Sequence, residues 1–198
     1  MLHTRTTVSQ RASAAAASRA AEPFDELALR RAQRGDERAW RALIERFQEP
    51  VHALIFRMLA GRARHRAEDL TQETFVRVLG ALARFDPKGP AKLSTWILTI
   101  AARLAWNELR RVEPASLAHE PPAAERTDAS AERRQLGAAI AAAMTELPDA
   151  QRAVVVLRDY HELEYAEIAG VLELDLGTVK SRLARARATL REKLREVV

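Results

Sequence analysis

The sequence predicts an all-α protein in which two small helical domains are joined by a flexible linker. Three observations support this fold class. Apolar residues recur at intervals of three and four along most of the chain, which is the spacing of an amphipathic helix. No segment shows convincingly the alternation that is typical of a strand. A stretch rich in proline and acidic residues separates two regions of helical spacing.

Composition places the chain among globular proteins. It has 198 residues, of which 47% are hydrophobic and 30% are charged, enough for one ordinary domain or two small ones. It contains no cysteine, which excludes disulfides and thiolate zinc sites and fits a reducing compartment. No apolar run approaches the roughly 18 residues that a membrane span needs, so we expect no membrane insertion. The net charge of +5 suits an acidic partner without requiring one.

The composition of residues 1–21 predicts a disordered N-terminal tail. The segment is rich in arginine, serine and alanine and contains no acidic residue. This composition is similar to that of an organellar transit peptide. A disordered bacterial tail and a misplaced start codon are simpler interpretations, and the segment lacks the apolar core of a secretory signal.

Residues 22–111 predict a first domain of three or four packed helices. The apolar residues fall on helical stripes that should face a common core, and Leu27 and Leu79 belong to these stripes. The stripes continue up to Leu109, so the domain should end shortly after it. Three breaks separate the stripes: 34–36, 60–69 and 85–92.

Residues 112–132 form the predicted linker, with three prolines, five acids and one base. Helical spacing resumes near Arg133, so the second domain should comprise residues 133–198. Acidic and basic residues are separated within this domain. Residues 146–175 carry eight acids and two arginines, whereas residues 178–195 carry seven bases and one acid. One face of the second domain should therefore be strongly basic.

The end of this domain has the dimensions of a helix-turn-helix. The stretch YAEIAGVLELDLGTVKSRLARAR (165–187) predicts two helices with about four residues of turn between them. Asp175 is placed to cap the second helix by accepting hydrogen bonds from N–H groups near Gly177 and Thr178. The small Gly177 should also allow a neighbouring backbone to approach. The predicted inward-facing residues are Ile168, Ala169, Val171, Leu172, Val179, Leu183, Ala186, Leu190 and Leu194.

The outer side of the second helix is a candidate DNA-reading surface. Long cationic side chains at Lys180 and Arg185 could reach guanine edges or phosphates in a major groove, and the small Ala184 lets the helix sit deep. A basic amphipathic helix alone could equally be a solvated surface, but a preceding helix at this spacing favours DNA binding. The predicted contact residues are Lys180, Ser181, Ala184 and Arg185, with Thr178, Arg182 and Arg187 beside them.

The same region resembles a known family. The stretch LPDAQRAVVVLRDYHELEYAEIAGVLELDLGTVKSRLARARATLREKL (147–194) is similar to the promoter −35 binding domain of bacterial RNA polymerase sigma factors of the ECF type. The Leu-Pro pair, the EYAEIA run and GTVKSRLARAR carry the resemblance. Two positions depart from the family pattern, with Glu173 where a turn glycine is frequent and Asp175 where proline is common.

The first domain resembles the same family. The stretch AEDLTQETFVRVLGALARFDPKGPAKLSTWILTIAARLAWNELRR (67–111) is similar to its promoter-opening domain. Asp69, Gln72 and Glu73 lie at helical spacing and form an acidic edge, which on an isolated helix would serve solubility alone. The resemblance implies that this edge docks on the basic clamp helices of the largest RNA polymerase subunit.

The resemblance also implies a −10 site. The loop FDPKGPAKLSTW contains Lys88 and Lys92 and could hold unpaired DNA through phosphates and a pocket for an extruded base. Trp96 could stack on a base, but its spacing favours the core, and the role of Trp106 is open. The family often has asparagine at position 103 and aspartate at position 107, so the −10 preference is not fixed. The predicted −10 contacts are Lys88, Lys92, Arg103, Asn107, Arg110 and Arg111.

The resemblance implies a cytoplasmic bacterial sigma factor that brings core RNA polymerase to −35 and −10 promoter DNA and helps open it. An anti-sigma factor could be a further partner. Enzyme chemistry is not expected, because the five histidines are scattered, and neither a metal site, a nucleotide-binding loop nor a cofactor is predicted. Two non-enzyme alternatives remain, namely a dimeric helix-turn-helix regulator that binds DNA without polymerase, and a helical interaction protein with solubilising arginines.

Overall fold

A computed structural model describes residues 24–60, 63–111 and 131–195, and of residues 131–134 it describes the backbone alone. The predicted tail, 1–21, lies outside the described residues. So does the predicted linker, except for its last two residues, which begin a helix.

The described part of the first region folds into four α-helices, at the upper limit of the three or four that were predicted. Asp25 and Asp36 begin the first two, because their carboxylates accept hydrogen bonds from the backbone N–H three residues later, at 2.8 and 2.9 Å. The hydrogen bond from the N–H of Ala39 is the largest cause that lowers the pKa of Asp36, and the hydrogen bond from the Arg31 side chain is the next largest. The helices are α1 (Glu26–Gln33), α2 (Glu37–Met58), α3 (Ala67–Leu82) and α4 (Leu93–Arg111), with a 3₁₀ turn, Arg64–Arg66, before α3.

The other three helices pack against α2, and most of the predicted apolar stripes are buried. Leu43, Val51, Leu54 and Ile97 are fully covered. Two residues that were expected to face the core do not, since Leu27 is 67% exposed and Leu79 is 54% exposed. That part of the prediction was wrong. Each lies at the margin of its helix's apolar stripe, where spacing alone does not decide whether a residue faces the core or the solvent.

The second region folds into four further α-helices within the described residues. Pro148, whose ring fixes φ, directly precedes the second of them and separates it from the first. A π-helical turn follows that helix and ends at Tyr160. The elements are α5 (Ala131–Glu146), α6 (Asp149–Val155), the π-helical turn (Val156–Tyr160), α7 (Tyr165–Leu172) and α8 (Leu176–Leu194).

The two groups of helices contact one another, which the sequence did not predict. Arg152 of α6 is only 1% exposed, and its guanidinium donates to the carbonyl of Met58 in α2 at 3.1 Å and to that of Leu147 at 2.9 Å. The guanidinium of Arg57 lies 4.9 Å from the centre of the Tyr160 ring. Buried apolar residues of both groups form one continuous cluster.

The all-α fold class is confirmed for residues 24–60, 63–111 and 131–195, which include two helical groups and a helix-turn-helix in the second. Within the same residues, every helix is too short or too polar to cross a bilayer.

Candidate nucleic-acid interface

The helix-turn-helix is formed by α7, the turn 173–175 and α8. The N–H of Glu164, just before α7, donates to the Glu167 carboxylate at 2.7 Å. Glu173 lies in the left-handed region with φ 54°, the conformation for which glycine is the usual residue. The turn is three residues long, one fewer than the sequence suggested.

Asp175 caps α8 as predicted. Its carboxylate accepts the N–H of Thr178 at 2.8 Å and also the Thr178 hydroxyl. These two hydrogen bonds, the hydroxyl first, lower the pKa of Asp175. Gly177 does not provide the expected close approach to a neighbouring backbone, because a Cβ there would meet only the Asp175 carboxylate, at 3.1 Å.

Helix α8 has one buried and one exposed face. Val179, Leu183 and Ala186 are buried as predicted. On the opposite face, Lys180 and Arg185 are exposed. The remaining predicted contacts on α8 are exposed at Ala184 and Arg187 and partly buried at Thr178, Ser181 and Arg182.

Three of these residues have intramolecular partners. The Thr178 hydroxyl is used in the cap, and Ser181 donates to the carbonyl of Thr178 at 3.1 Å. Arg187 forms a two-point ion pair with Asp159, whose Oδ2 accepts from Nε at 3.2 Å. This carboxylate raises the pKa of Arg187. Arg187 must therefore leave or share Asp159 before it can bind a phosphate.

The predicted −10 residues of α4 follow one side of the helix. Arg103, Asn107 and Arg110 are exposed at intervals of four and three residues. The guanidinium of Arg110 donates to the carboxylate of Glu173 at 3.0 Å, so the turn of the helix-turn-helix contacts this side of α4. Arg111 is exposed and lies 3.7 Å from Glu108.

The loop between α3 and α4 carries the other two predicted −10 residues, and both Lys88 and Lys92 are exposed. Asp86 shapes the loop, because its carboxylate accepts the N–H of Lys88 at 2.9 Å and its carbonyl accepts the N–H of Gly89 at 3.1 Å. Behind the loop, the Phe85 and Trp96 rings lie 5.0 Å apart, and both pack against the core.

Trp96 therefore has the core position that its spacing favoured. Trp106 is partly buried on α4, and its indole N–H has no acceptor within the described residues.

The predicted polymerase-binding edge lies along α3. Asp69 and Gln72 are exposed, and Glu73 is partly buried. Asp69 pairs with Arg66, and Glu73 with Arg77 at 2.6 Å.

The sequence reasoning missed three features of this interface. Val76 and Leu79 expose apolar surface beside the acidic edge, with Val76 69% exposed. The ion pairs of Arg110 with Glu173 and of Arg187 with Asp159 join residues 63 and 28 positions apart, so no local pattern indicated them.

Within the described residues, no group of three or more histidine, aspartate or glutamate side chains could hold a metal ion.

Comparison with known proteins gives the family. Residues 43–113 match the Sigma-70 region 2 family model, and residues 137–190 match that of Sigma-70, region 4. The ECF RNA polymerase sigma factor SigW of Bacillus subtilis is 30% identical over 183 residues, which cover 85% of this chain and 96% of SigW.

Two solved structures have a similar fold. CnrH, in complex with the cytosolic domain of CnrY, is 26% identical with a TM-score of 0.59, over 87% of this chain and 97% of CnrH. Sigma factor RpoE, in complex with the anti-sigma factor NepR from Bartonella quintana, is 22% identical with a TM-score of 0.57, over 78% of this chain and 96% of RpoE. From the family matches and SigW, the chain belongs to the ECF RNA polymerase sigma factors, which direct core RNA polymerase to promoters.

Proposed function

We propose that α8 reads the −35 element of the promoter in the major groove. Lys180, Ser181, Ala184 and Arg185 would meet base edges, and Thr178, Arg182 and Arg187 would contact phosphates. The observation that carries this proposal is the division of α8 into a buried apolar face and an exposed face with Lys180 and Arg185. The Asp175 cap supports it, because it fixes where the helix begins.

We propose that residues 22–111 form the domain that binds core polymerase and melts the −10 region. Arg103, Asn107 and Arg110 would contact duplex DNA, with Arg111 beside them, and Lys88 and Lys92 would hold the strand that separates. Residues 112–132 would link this domain to the −35 domain, 133–198. Because the tether makes the second contact with DNA intramolecular, the two modules together can bind tightly even if each binds weakly on its own.

The acidic edge of α3 would dock on the basic clamp helices of the largest polymerase subunit. Asp69, Gln72 and Glu73 would supply the polar contacts. The exposed side chains of Val76 and Leu79 support a protein partner at this place, because they put apolar surface beside the acidic edge that solubility does not require.

Three further properties belong to this proposal. The protein would act in the bacterial cytoplasm, without enzymatic activity of its own and without a cofactor or metal. DNA opening would be supported by binding energy, which offsets an unstacking cost of a few kcal/mol per flipped base. An anti-sigma partner is also part of the proposal, because the similar RpoE structure contains an anti-sigma factor.

The test compares Lys180→Ala and Arg185→Ala with wild type in polymerase holoenzyme on a promoter found by transcript mapping after overexpression. Each variant should bind core polymerase normally and lose −35 recognition. Arg38→Ala is a matched control, because Arg38 is an exposed arginine on α2 outside the proposed surfaces. Normal transcription by both α8 variants would show that the reading face is assigned wrongly.

A further inference from the structure

The turn of the helix-turn-helix lies against the side of α4 that carries the proposed −10 contacts. Helices α4 and α7 contact each other, and Glu173, at the end of α7, accepts a hydrogen bond from the guanidinium of Arg110 at 3.0 Å. We call this packing of residues 131–195 on the first helical group the closed arrangement. In it, a carboxylate of the second group occupies a cation that duplex DNA would need.

A buried contact fixes the closed arrangement. Arg152 of α6 donates across the junction to the carbonyl of Met58 in α2 at 3.1 Å, and its side chain is almost completely covered. Because a buried guanidinium requires acceptors for its N–H groups, this bond holds α6 against α2. Buried apolar residues of both groups continue the junction as one cluster. The closed arrangement therefore does not depend on the exposed pair of Arg110 and Glu173.

The closed arrangement cannot read both promoter elements at once. The −35 and −10 positions lie about 25 base pairs apart, which is about 85 Å along B-form DNA. Arg185 lies nine residues after the start of α8 at Leu176, so it is within roughly 25 Å of the turn that contacts Arg110. A duplex with a persistence length of about 150 base pairs does not bring its two elements so close together. The chain must therefore open before it can bind both of them.

Glu173 has a backbone conformation that disfavours its own side chain. Its φ of 54° is left-handed, and glycine adopts this conformation without strain and would end α7 equally well. What the glutamate adds is a carboxylate beside Arg110. The carboxylate is 72% exposed, so the pair contributes little to stability. It nevertheless competes directly with DNA, because a carboxylate and a phosphate bind the same face of a guanidinium.

We propose that Glu173 is an autoinhibitory residue. In the free chain its carboxylate takes the place of a DNA phosphate at Arg110, and core polymerase releases Arg110 when it separates the two helical groups. This role rests on the proposed −10 function of α4. It gives the turn of the helix-turn-helix a second task, which is to weaken −10 binding by a chain that has not assembled with polymerase.

Binding of the free chain to forked DNA tests this competition. The fork is a duplex that opens into single strands at the −10 element and carries no −35 element. Glu173→Gly should bind it about three- to fivefold more tightly than wild type, since releasing an exposed ion pair limits the gain. The salt slope should increase in magnitude by about 0.9, as for one additional duplex phosphate.

Glu162→Gly is the matched control. Glu162 is also an exposed glutamate of the second group in the left-handed region, with φ 57°, but it has no ionic partner within the described residues. The substitution relieves the same strain and removes the same charge, yet should leave fork binding at the level of wild type. An equal gain in both variants would reveal a general effect of charge or strain and overturn the proposal. Thermal unfolding checks that both variants remain folded.

Two further comparisons isolate Arg110. In holoenzyme, where the two groups are separated, Glu173→Gly should bind the fork as wild type does. In the free chain, Arg110→Ala should abolish the gain that Glu173→Gly provides, because the gain requires the released guanidinium. A gain that persists without Arg110 would contradict the proposed competition.

Arg110→Ala in holoenzyme separates this proposal from the function on which it rests. If holoenzyme with Arg110→Ala binds the fork as tightly as wild type, the −10 assignment of Arg110 is wrong and the autoinhibitory role falls with it. If that variant weakens binding but Glu173→Gly gives the free chain no gain, Arg110 keeps its −10 role and the autoinhibitory role of Glu173 is refuted.

Discussion

Replacing His161 with phenylalanine should make the protein more resistant to acid. His161 follows the π-helical turn, and its Nε2 is buried without a hydrogen-bond partner among the described residues. Burial, followed by the positive charge of Arg57, lowers the pKa of His161 from 6.5 to about 4. The folded chain therefore keeps this imidazole neutral over a pH range in which the unfolded chain protonates it.

The magnitude follows from that difference in pKa. Below pH 6.5 the unfolded state gains a proton that the folded state does not accept, so stability falls with pH until about pH 4. At pH 4.5 the loss relative to neutral pH should be about 2–3 kcal/mol. Phenylalanine cannot titrate and leaves no unsatisfied nitrogen, so the variant should match wild type within about 1 kcal/mol at pH 7.5.

Urea unfolding at pH 7.5 and pH 4.5 measures both quantities. Carboxylates that titrate in this range affect wild type and variant alike, so the difference between the two proteins isolates His161. His65→Phe is the matched control, because it replaces an exposed histidine with the same residue. Equal acid losses in wild type and His161→Phe would refute the assignment of a buried neutral imidazole.

Three other perturbations test the helix-turn-helix and the exposed edge of α3. Asp175→Ala should lower Tm by about 2–4 °C, because α8 loses its cap, whereas Asp175→Asn should keep most of the stability; circular dichroism melting measures both. Glu173→Gly should have a free energy of unfolding about 0.5–1 kcal/mol higher than Glu173→Ala in urea titration, because both variants lose the exposed ion pair with Arg110 and only glycine adopts φ 54° without strain; equal stability of the two would contradict this. Val76→Ser with Leu79→Ser should change stability by less than about 0.5 kcal/mol yet weaken the pull-down of core polymerase; unchanged capture would remove these residues from the interface.

The sequence predicted the features that depend on local spacing. The burial of Val179, Leu183 and Ala186 and the Asp175 cap follow from which residues stand three or four positions apart, and both occur as expected. Leu190 and Leu194 of the same stripe are only partly buried. The helical class follows from the same periodicity. The exposure of Lys180 and Arg185 is its consequence, since a helix with one buried side must present the other.

Features that depend on distant residues were not predictable in this way. Leu79 belongs to an apolar stripe by spacing, but whether another helix covers it depends on tertiary packing. The buried guanidinium of Arg152 donates to the carbonyl of Met58, 94 residues earlier, and no local pattern indicates that contact. The hydrogen bonds that the Gln33 amide donates to the carbonyls of Leu82 and Phe85 likewise join two segments that lie about 50 residues apart.

The central claim is that this chain recognises a promoter together with core RNA polymerase. A gel shift with the mapped promoter fragment, using the chain alone, core alone and both together, tests it most directly. A sequence-specific shift that appears only with both components is the predicted result. Specific binding by the chain alone would instead indicate a conventional helix-turn-helix regulator, and no specific shift under any condition would indicate a helical interaction protein.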